Sequence, residues 1–453
     1  MRKYITIMLV ALFTLSALFA GGGKESTTSS AGKTTIEVWT EDRHDLEYVQ
    51  AKIKEFNETN TDNLYINLTV ISENYRNMLQ LAYNGGTAPD IVGGNSLPLN
   101  MFADTGILLP LNDYIAASPE FQKVNGTDKQ VYEGKNAKNG NIYWVSLGIR
   151  SGVRVIYNKT LLEQCGYTEI PKKLEDYIDM AADITKQGKG RFYGIGFTSS
   201  SPFERLLEMS AEMSGIYIYD YVNGRYDYSG FKPILELGQR FFKESIAYPD
   251  QQGVDNMRAL FTVSQFALWS NASQEVAVFT EQLPITDFEW GVAEVPTLTG
   301  EVEGALMVTL SKGWSIVSSS KHKDEAWKVI EFFQSEDFIK GYLEAGYCLP
   351  ATEYMDGVID KTKIGRLADF SLKPYESVYP EVPSVNLSGD DYRTVLWNIV
   401  QGYVGIDEGI ADLNKRYNEA LDADVKSGAV KRLVIKDYDP LNPSAGTAEY
   451  LTE

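Results

Sequence analysis

An α/β architecture, with mainly parallel sheets flanked by helices, is what this 453-residue sequence predicts. Two observations carry the prediction. From Lys33 onward short apolar strands alternate with amphipathic helices in a β-α-β-α-β order, and parallel strands need such helical crossovers. The chain is 43% hydrophobic, yet no apolar run beyond the N-terminus is long enough to span a bilayer, the pattern of a globular protein with sizeable cores.

Taken in order, residues 1–20 open with Arg2 and Lys3, run apolar from Ile5 to Phe19 and end in small residues at Ala20 and Gly21. That is the layout of a secretory signal peptide, with cleavage expected after Ala20. Residues 21–33, GGGKESTTSSAGK, lack apolar periodicity and read as a flexible tether. Thr34 to Thr40 is a strand, Leu46 to Asn60 an amphipathic helix, and Leu64 to Ile71 an alternating second strand. SENYRNMLQLAYN has helical spacing at Tyr75, Met78, Leu79 and Ala82, and Gly85-Gly86 stop that helix. The stretch GGTAPDIVGG matches neither G-x-G-x-x-G nor the Lys-bearing phosphate loop. Instead Thr87 to Asp90 reads as a turn and Ile91-Val92 as a buried strand, whose carboxyl end, Gly93-Gly94, is where open α/β sheets present ligand sites.

Later strands are expected at 142–147, 153–158, 193–197, 265–270, 289–296 and 313–318, with helices around Leu235 to Phe242, Ala326 to Phe333 and Ile410 to Asp424 between or after them. No repeat follows the tether, and no Pro/Gly/Ser linker cuts the chain into beads. Domains joined by more than one crossover are therefore expected.

A net charge of −20 disfavours nucleic acid and anionic membranes as partners. Cys165 and Cys348, the only cysteines, lie far apart and read as two thiols rather than a bridge. Neither stands near Gly21, so an exported, unlipidated protein is expected. His44 and His322 form no H-E-x-x-H, and no G-x-S-x-G elbow exists, so neither a His-ligated metal nor a serine nucleophile is expected. EDRHD, Glu41 to Asp45, reads as a solvated helix start rather than a metal site. The 62 acidic residues leave a glycosidase carboxylate pair open, since such a pair need only be close in space.

Eight motifs in one order resemble the extracellular solute-binding proteins of sugar ABC importers: VWT (38–40), GTAPDIV (86–92), GILLPL (106–111), VIYNKTLLEQCGY (155–167), YGIGF (193–197), FALWSN (266–271), WGVAEVP (290–296) and GWSIVSSSKHKDEAWKVIEFF (313–333). The resemblance runs from about Thr34 to about Ala429. It implies the type II periplasmic-binding-protein fold, two α/β lobes around a ligand cleft, with lobe one at 34–147 plus 297–347 and lobe two at 148–296 plus 348–453. It further implies a monomer without cofactor or catalysis, which closes on a sugar or oligosaccharide and delivers it to the membrane permease. Another small solute such as a polyamine, a secreted carbohydrate-cleaving enzyme, and a ligand-presenting sensor stand as alternatives.

Sugars offer apolar ring faces and a belt of hydroxyls, so their sites pair aromatic planes with carboxylates, amides and arginines. By position in the family, Trp39 with Glu41 and Asp42, and Gly94 with Asn95, would supply contacts from the first lobe. Trp39 suits a core position as well, and Asn95 a turn. Arg150, after the first crossing, suits sugar oxygens or an acid across the cleft. In TSSSPFERL, Phe203 would offer a plane and Ser201 or Glu204 an oxygen. Trp269 and Trp314 are further cleft aromatics, each in an apolar strand that equally suits the core, and Asp390 and Tyr392 stand near a late contact region.

Overall fold

The computed structural model describes residues 32–43, 45–94, 99–126, 132–200 and 202–453. The expected signal peptide, nearly all of the tether, His44, Asn95 and Ser201 lie outside the described residues. Two sheets organise the rest. In the first, β1 (Thr34–Thr40) lies between β2 (Leu64–Val70) and β3 (Ile91–Gly94), parallel to both, and β3 is followed across the sheet by Gly313–Ile316 and Val145–Ser146. In the second, the order is Trp290–Ala293, Arg154–Asn158, Phe266–Asn271, Tyr193–Ile195. One strand in each sheet runs against the others: Gly313–Ile316 in the first, Arg154–Asn158 in the second. Each follows directly on a crossing from the other sheet. It leaves the shared edge where its neighbours arrive, so its direction is reversed.

Three stretches of chain meet between the sheets. Ile149–Arg150 pairs antiparallel with Thr309–Leu310, while Ile149 also exchanges both backbone hydrogen bonds with Leu349, at 2.9 and 2.8 Å. Ile149, Val308, Leu310 and Leu349 are buried in an apolar cluster that draws residues from both lobes. Beside them Lys135 pairs with Glu381 at 3.3 Å, and the Glu381 amide donates to the Glu133 carbonyl at 3.1 Å.

The first lobe packs Ile36, Val38, Leu64 and Ile66 against the helix Lys323–Phe333, and the second packs Leu174, Tyr177 and Ile178 against Leu268 and Leu396. Two stretches pack across the expected lobe boundaries. Leu298, Val302 and Leu306 pack with the second lobe, not the first, because the chain returns only at Thr309–Leu310. Conversely Met355, in the helix Glu353–Val358, packs in the first lobe's core, because the chain doubles back after Leu349 before joining the second.

Asp90, of the TAPD turn, pins the first sheet. Its carboxylate accepts from the Glu37 amide at 3.0 Å and from the Ser320 hydroxyl at 2.6 Å, tying β1 to the segment after Gly313–Ile316. Below the hinge, Lys312 is 1% exposed and stands 3.1 Å from Asp45 and 3.6 Å from Asp42, while the Tyr342 hydroxyl donates to Asp45 at 2.8 Å. Cys348 is buried in the first lobe and Cys165 packs against the second lobe's core, and both are free thiols. Burial pushes the Cys348 thiol up to about 12.

Three outcomes follow for the fold. Asp90→Ala removes two hydrogen bonds from a buried carboxylate and should cost about 3 kcal/mol in urea unfolding; a loss below about 1 kcal/mol contradicts the pinning role. Lys312→Met strands the buried Asp45 carboxylate and should cost roughly 3–5 kcal/mol, partly recovered by adding Asp45→Asn; an unchanged midpoint contradicts the ion pair's role. A thiol reagent at pH 8 should label Cys165 and leave Cys348 untouched until the protein unfolds, as mass spectrometry would read; fast labelling of Cys348 contradicts its burial.

Candidate functional site

The carboxyl end of β1 carries the first group. Alternation turns Ile36, Val38 and Thr40 inward at 0% exposed and leaves Trp39 half-buried on the other face. Glu41 and Asp42, both half-buried, continue past the strand end. The Tyr75 hydroxyl sits 3.1 Å from the Trp39 carbonyl and 3.0 Å from that of Gly93, locking the ends of β1 and β3 together. Burial, reinforced by nearby Glu41, pushes the Tyr75 phenol well above its usual range, so it stays a donor.

The glycine pair at the end of β3 has a specific task. A Cβ on Gly93 would fall 2.4 Å from the Trp314 ring, and one on Gly94 would fall 2.7 Å from Glu41 Oε1. Gly94 also has φ +145°, a conformation that favours glycine. The pair therefore admits an indole and a carboxylate of the protein itself over the strand. The structure brings four of the expected residues together here: Trp39, Glu41, Asp42 and Gly94.

Trp314 itself belongs to the core, which corrects its expected role as a cleft aromatic. It is 0% exposed, stacks on Phe333 with ring centres 4.2 Å apart, and has the Lys312 ammonium 4.8 Å from its ring centre. No ring face is left for a sugar. Trp269 offers no open ring face either: at 1% exposed it packs among Phe261, Phe266 and Phe279, because every residue of its strand Phe266–Asn271 is buried. Phe203, also 1% exposed, points into the second lobe's core beside Phe231. The turn it precedes directs Leu206 and Leu207 inward with it.

Arg150 lies on the hinge strand opposite Thr309, half-buried and close enough to Cys348 to act on that thiol electrostatically. In the second lobe, Glu204 stands 3.8 Å from Arg393, which forks onto Glu208 at 2.7 and 3.2 Å; Tyr392 donates its hydroxyl to the same Glu208. Glu204 and Tyr392 are thus joined through Arg393. Asp390 is exposed, and its backbone carbonyl accepts from Arg416 at 3.2 Å.

Sequence reasoning missed a second polar chain at the ends of Tyr193–Ile195 and Phe266–Asn271. Arg205 donates to the Asn271 side-chain oxygen, the Asn271 amide donates to Glu275 at 3.0 Å, and Arg258 forks onto Glu275 at 2.9 and 2.8 Å. Burial raises the Glu275 carboxyl, with Arg258 opposing it. A notch with room for about one water-sized atom, about 10 Å³, is lined there by Gly196, Thr198, Pro202, Arg205, Trp269 and Ser270. The available signal was Asn271, the last residue of FALWSN, and Arg205, inside TSSSPFERL. Lys312 was missed too, since a lysine before an apolar strand reads as solvated.

A larger groove of about 600 Å³ runs beside the hinge, from Glu133 and Lys138 to Asn386, Lys431 and Tyr450, and takes none of its lining from the ends of the two main sheets. Among the described residues no group of three or more His, Cys, Asp or Glu side chains is arranged to hold a metal, and no helix is long and apolar enough to cross a membrane.

The model of the bacterial extracellular solute-binding proteins matches residues 41–338, about two thirds of the chain. Among solved structures, the sugar-binding protein MalE of Xanthomonas citri aligns with a TM-score of 0.63 at 20% identity, covering 86% of this chain and 98% of that one. A solute-binding protein from Thermotoga lettingae, bound to α-D-tagatose, aligns at 0.66 and 19% identity over 86% and 100%. The cyclic α-maltosyl-1,6-maltose binding protein of Arthrobacter globiformis aligns at 0.66 and 16% over the same shares. At these identities the solved structures establish the two-lobe fold alone, while the match of the family model over most of the chain establishes kinship: this protein belongs to the bacterial extracellular solute-binding proteins.

Proposed function

We propose that the protein is the substrate-binding component of an ABC importer, that it binds a sugar or oligosaccharide outside the cytoplasm by hinge closure, and that it passes the sugar unchanged to a membrane permease. One observation carries the reading: a half-buried indole, Trp39, stands beside two carboxylates, Glu41 and Asp42, at the carboxyl end of a sheet that two short paired strands and a bridge at Leu349 join to a second lobe. An aromatic plane beside carboxylate acceptors is the pairing that a ring with hydroxyls on its rim requires. The sugars bound by the structural relatives support the same choice of ligand class.

Closure follows from that geometry. A ligand held by groups from both lobes gains contacts only when the lobes approach, so it stabilises the closed form by its differential affinity. The hinge pairs Ile149 with both Leu310 and Leu349, which fixes the pivot while the lobes move as bodies. A polyamine is disfavoured at this rim because Lys312, 3.6 Å from Asp42, already answers part of the acidic charge.

The test is a thermal-shift screen over mono- and oligosaccharides with a polyamine included, followed by product analysis of any mixture that shifts. A ligand at a hundred times its Kd should add about 2.7 kcal/mol to stability, and no product should form. Turnover of a stabilising sugar would replace transport with catalysis. With the stabilising sugar in hand, Trp39→Ala should weaken binding at least about tenfold and abolish the fluorescence response; a response that survives in Trp39→Ala and full affinity there would remove Trp39 from the site.

A further inference from the structure

Arg205 stands apart from three other arginines of the second lobe. Arg154 has Glu376 at 2.5 Å, Arg258 has Glu275 and Asp255 at 2.8 Å each, and Arg393 has Glu208 at 2.7 Å. Among the described residues Arg205 makes no ion pair, and its one hydrogen bond goes to the neutral side-chain oxygen of Asn271. This is unexpected in a chain with 62 acidic and 42 basic residues, where a carboxylate is seldom far away. Of the two carboxylates that act on it, Glu275 is taken by the Arg258 fork, and Glu204 stands 3.8 Å from Arg393.

The surroundings of Arg205 add two facts. It lines the notch at the ends of Tyr193–Ile195 and Phe266–Asn271, the end of an α/β sheet where ligands bind. Three of the lining residues, moreover, keep a buried polar atom without a partner: Arg205 Nε, Trp269 Nε1 and Ser270 Oγ. The two nitrogens can only donate, and the Ser270 hydroxyl can donate or accept. The notch has room for about one oxygen, about 10 Å³. The backbone also opens here, since the Glu208 amide reaches back five residues to the Phe203 carbonyl at 3.1 Å, a wide turn of the kind often found at functional sites. Burial penalises the charge on Arg205; Glu204 and Glu275 offset part of that penalty from a distance, and a carboxylate in the notch would offset more.

We infer that the solute is an acidic saccharide, whose uronate carboxylate seats one oxygen in this notch against Arg205 and the indole N–H of Trp269. The inference rests on the sugar-binding reading above. It also orients the ligand: the charged substituent faces the second lobe, and hydroxyl-bearing carbons face Glu41 and Asp42, which would repel a second carboxylate. Selectivity then comes from the arginine, because a neutral sugar in the same place leaves more of its charge unanswered.

Calorimetry and thermal shift on the full mature chain test this with matched probes that carry a single carboxylate, galacturonate, glucuronate and aldobiouronates, their carboxyl-reduced forms, and neutral malto-, cello-, xylo- and galacto-oligosaccharides. The expected result is binding to one of the acidic series, weakened about a hundredfold by carboxyl reduction and by Arg205→Gln, and weakened less by Arg205→Lys. Added salt should weaken it as well. Arg205→Gln must show the wild-type circular dichroism; if it does not fold, the carboxyl-reduced ligand on the wild type decides alone. Binding of neutral sugars with equal or greater affinity overturns the inference and leaves the sugar reading intact, as does acidic binding that folded Arg205→Gln retains in full. If no saccharide of either kind binds, the sugar reading itself fails and the inference falls with it.

Discussion

Ile149 is shared by two strands, and the rest of the molecule depends on that sharing. Its backbone pairs with Leu310 on one side and exchanges both hydrogen bonds with Leu349 on the other, so three separate passes of the chain are held at one level between the lobes. Each pass delivers a strand or segment whose direction is then dictated: Arg154–Asn158 and Gly313–Ile316 must run away from the hinge, against their neighbours. The remaining strands end toward the gap, which is why polar side chains collect there. The lysine directly after the second crossing, Lys312, is drawn under the first lobe by Asp45 and Asp42, and that buried ion pair sets where β1 ends. Buried ion pairs are costly to break rather than strongly stabilising. Here the consequence is positional: the acids that precede the first helix are held at the rim.

From this frame the two lobes contribute opposite chemistry. The first offers Glu41 and Asp42 beside a half-buried indole, and the second offers Arg205 in a chain of hydrogen bonds that runs through Asn271 and Glu275 to Arg258. In the proposed complex a solute bridging the gap would meet acceptors on one wall and donors on the other. That asymmetry gives a polar ligand one preferred orientation, and it makes closure a matter of matching both walls at once.

Much of the scaffold was legible because its local signals are strong. The alternation of TTIEVWT predicts a strand with the bounds that β1 has, and the helix stop at Gly85-Gly86 falls where the helix Tyr75–Asn84 ends. The family motifs extended that to the two-lobe fold. Side-chain assignments failed where strands are covered on both faces. Phe266–Asn271 and Gly313–Ile316 are buried at every position, so period-two alternation carries no information about which face Trp269 or Trp314 occupies. Trp314 needs Gly93 beneath it, a contact set by strand order and invisible in either local sequence. Arg205 and Lys312 escaped notice for the opposite reason: a charged residue in a polar run or before a strand looks solvated until the fold removes the water. GGTAPDIVGG combines both lessons, since its Asp90 and its second glycine pair serve the protein's own packing.

The account stands on closure about a bound saccharide. Small-angle X-ray scattering of the monomer, with and without a saturating saccharide that raises its melting temperature, tests this most directly. The radius of gyration should fall and the scattering should fit a single, more compact body. Saturation that leaves the radius of gyration unchanged would mean that the lobes do not move together on this ligand, and would contradict a hinge working at Ile149.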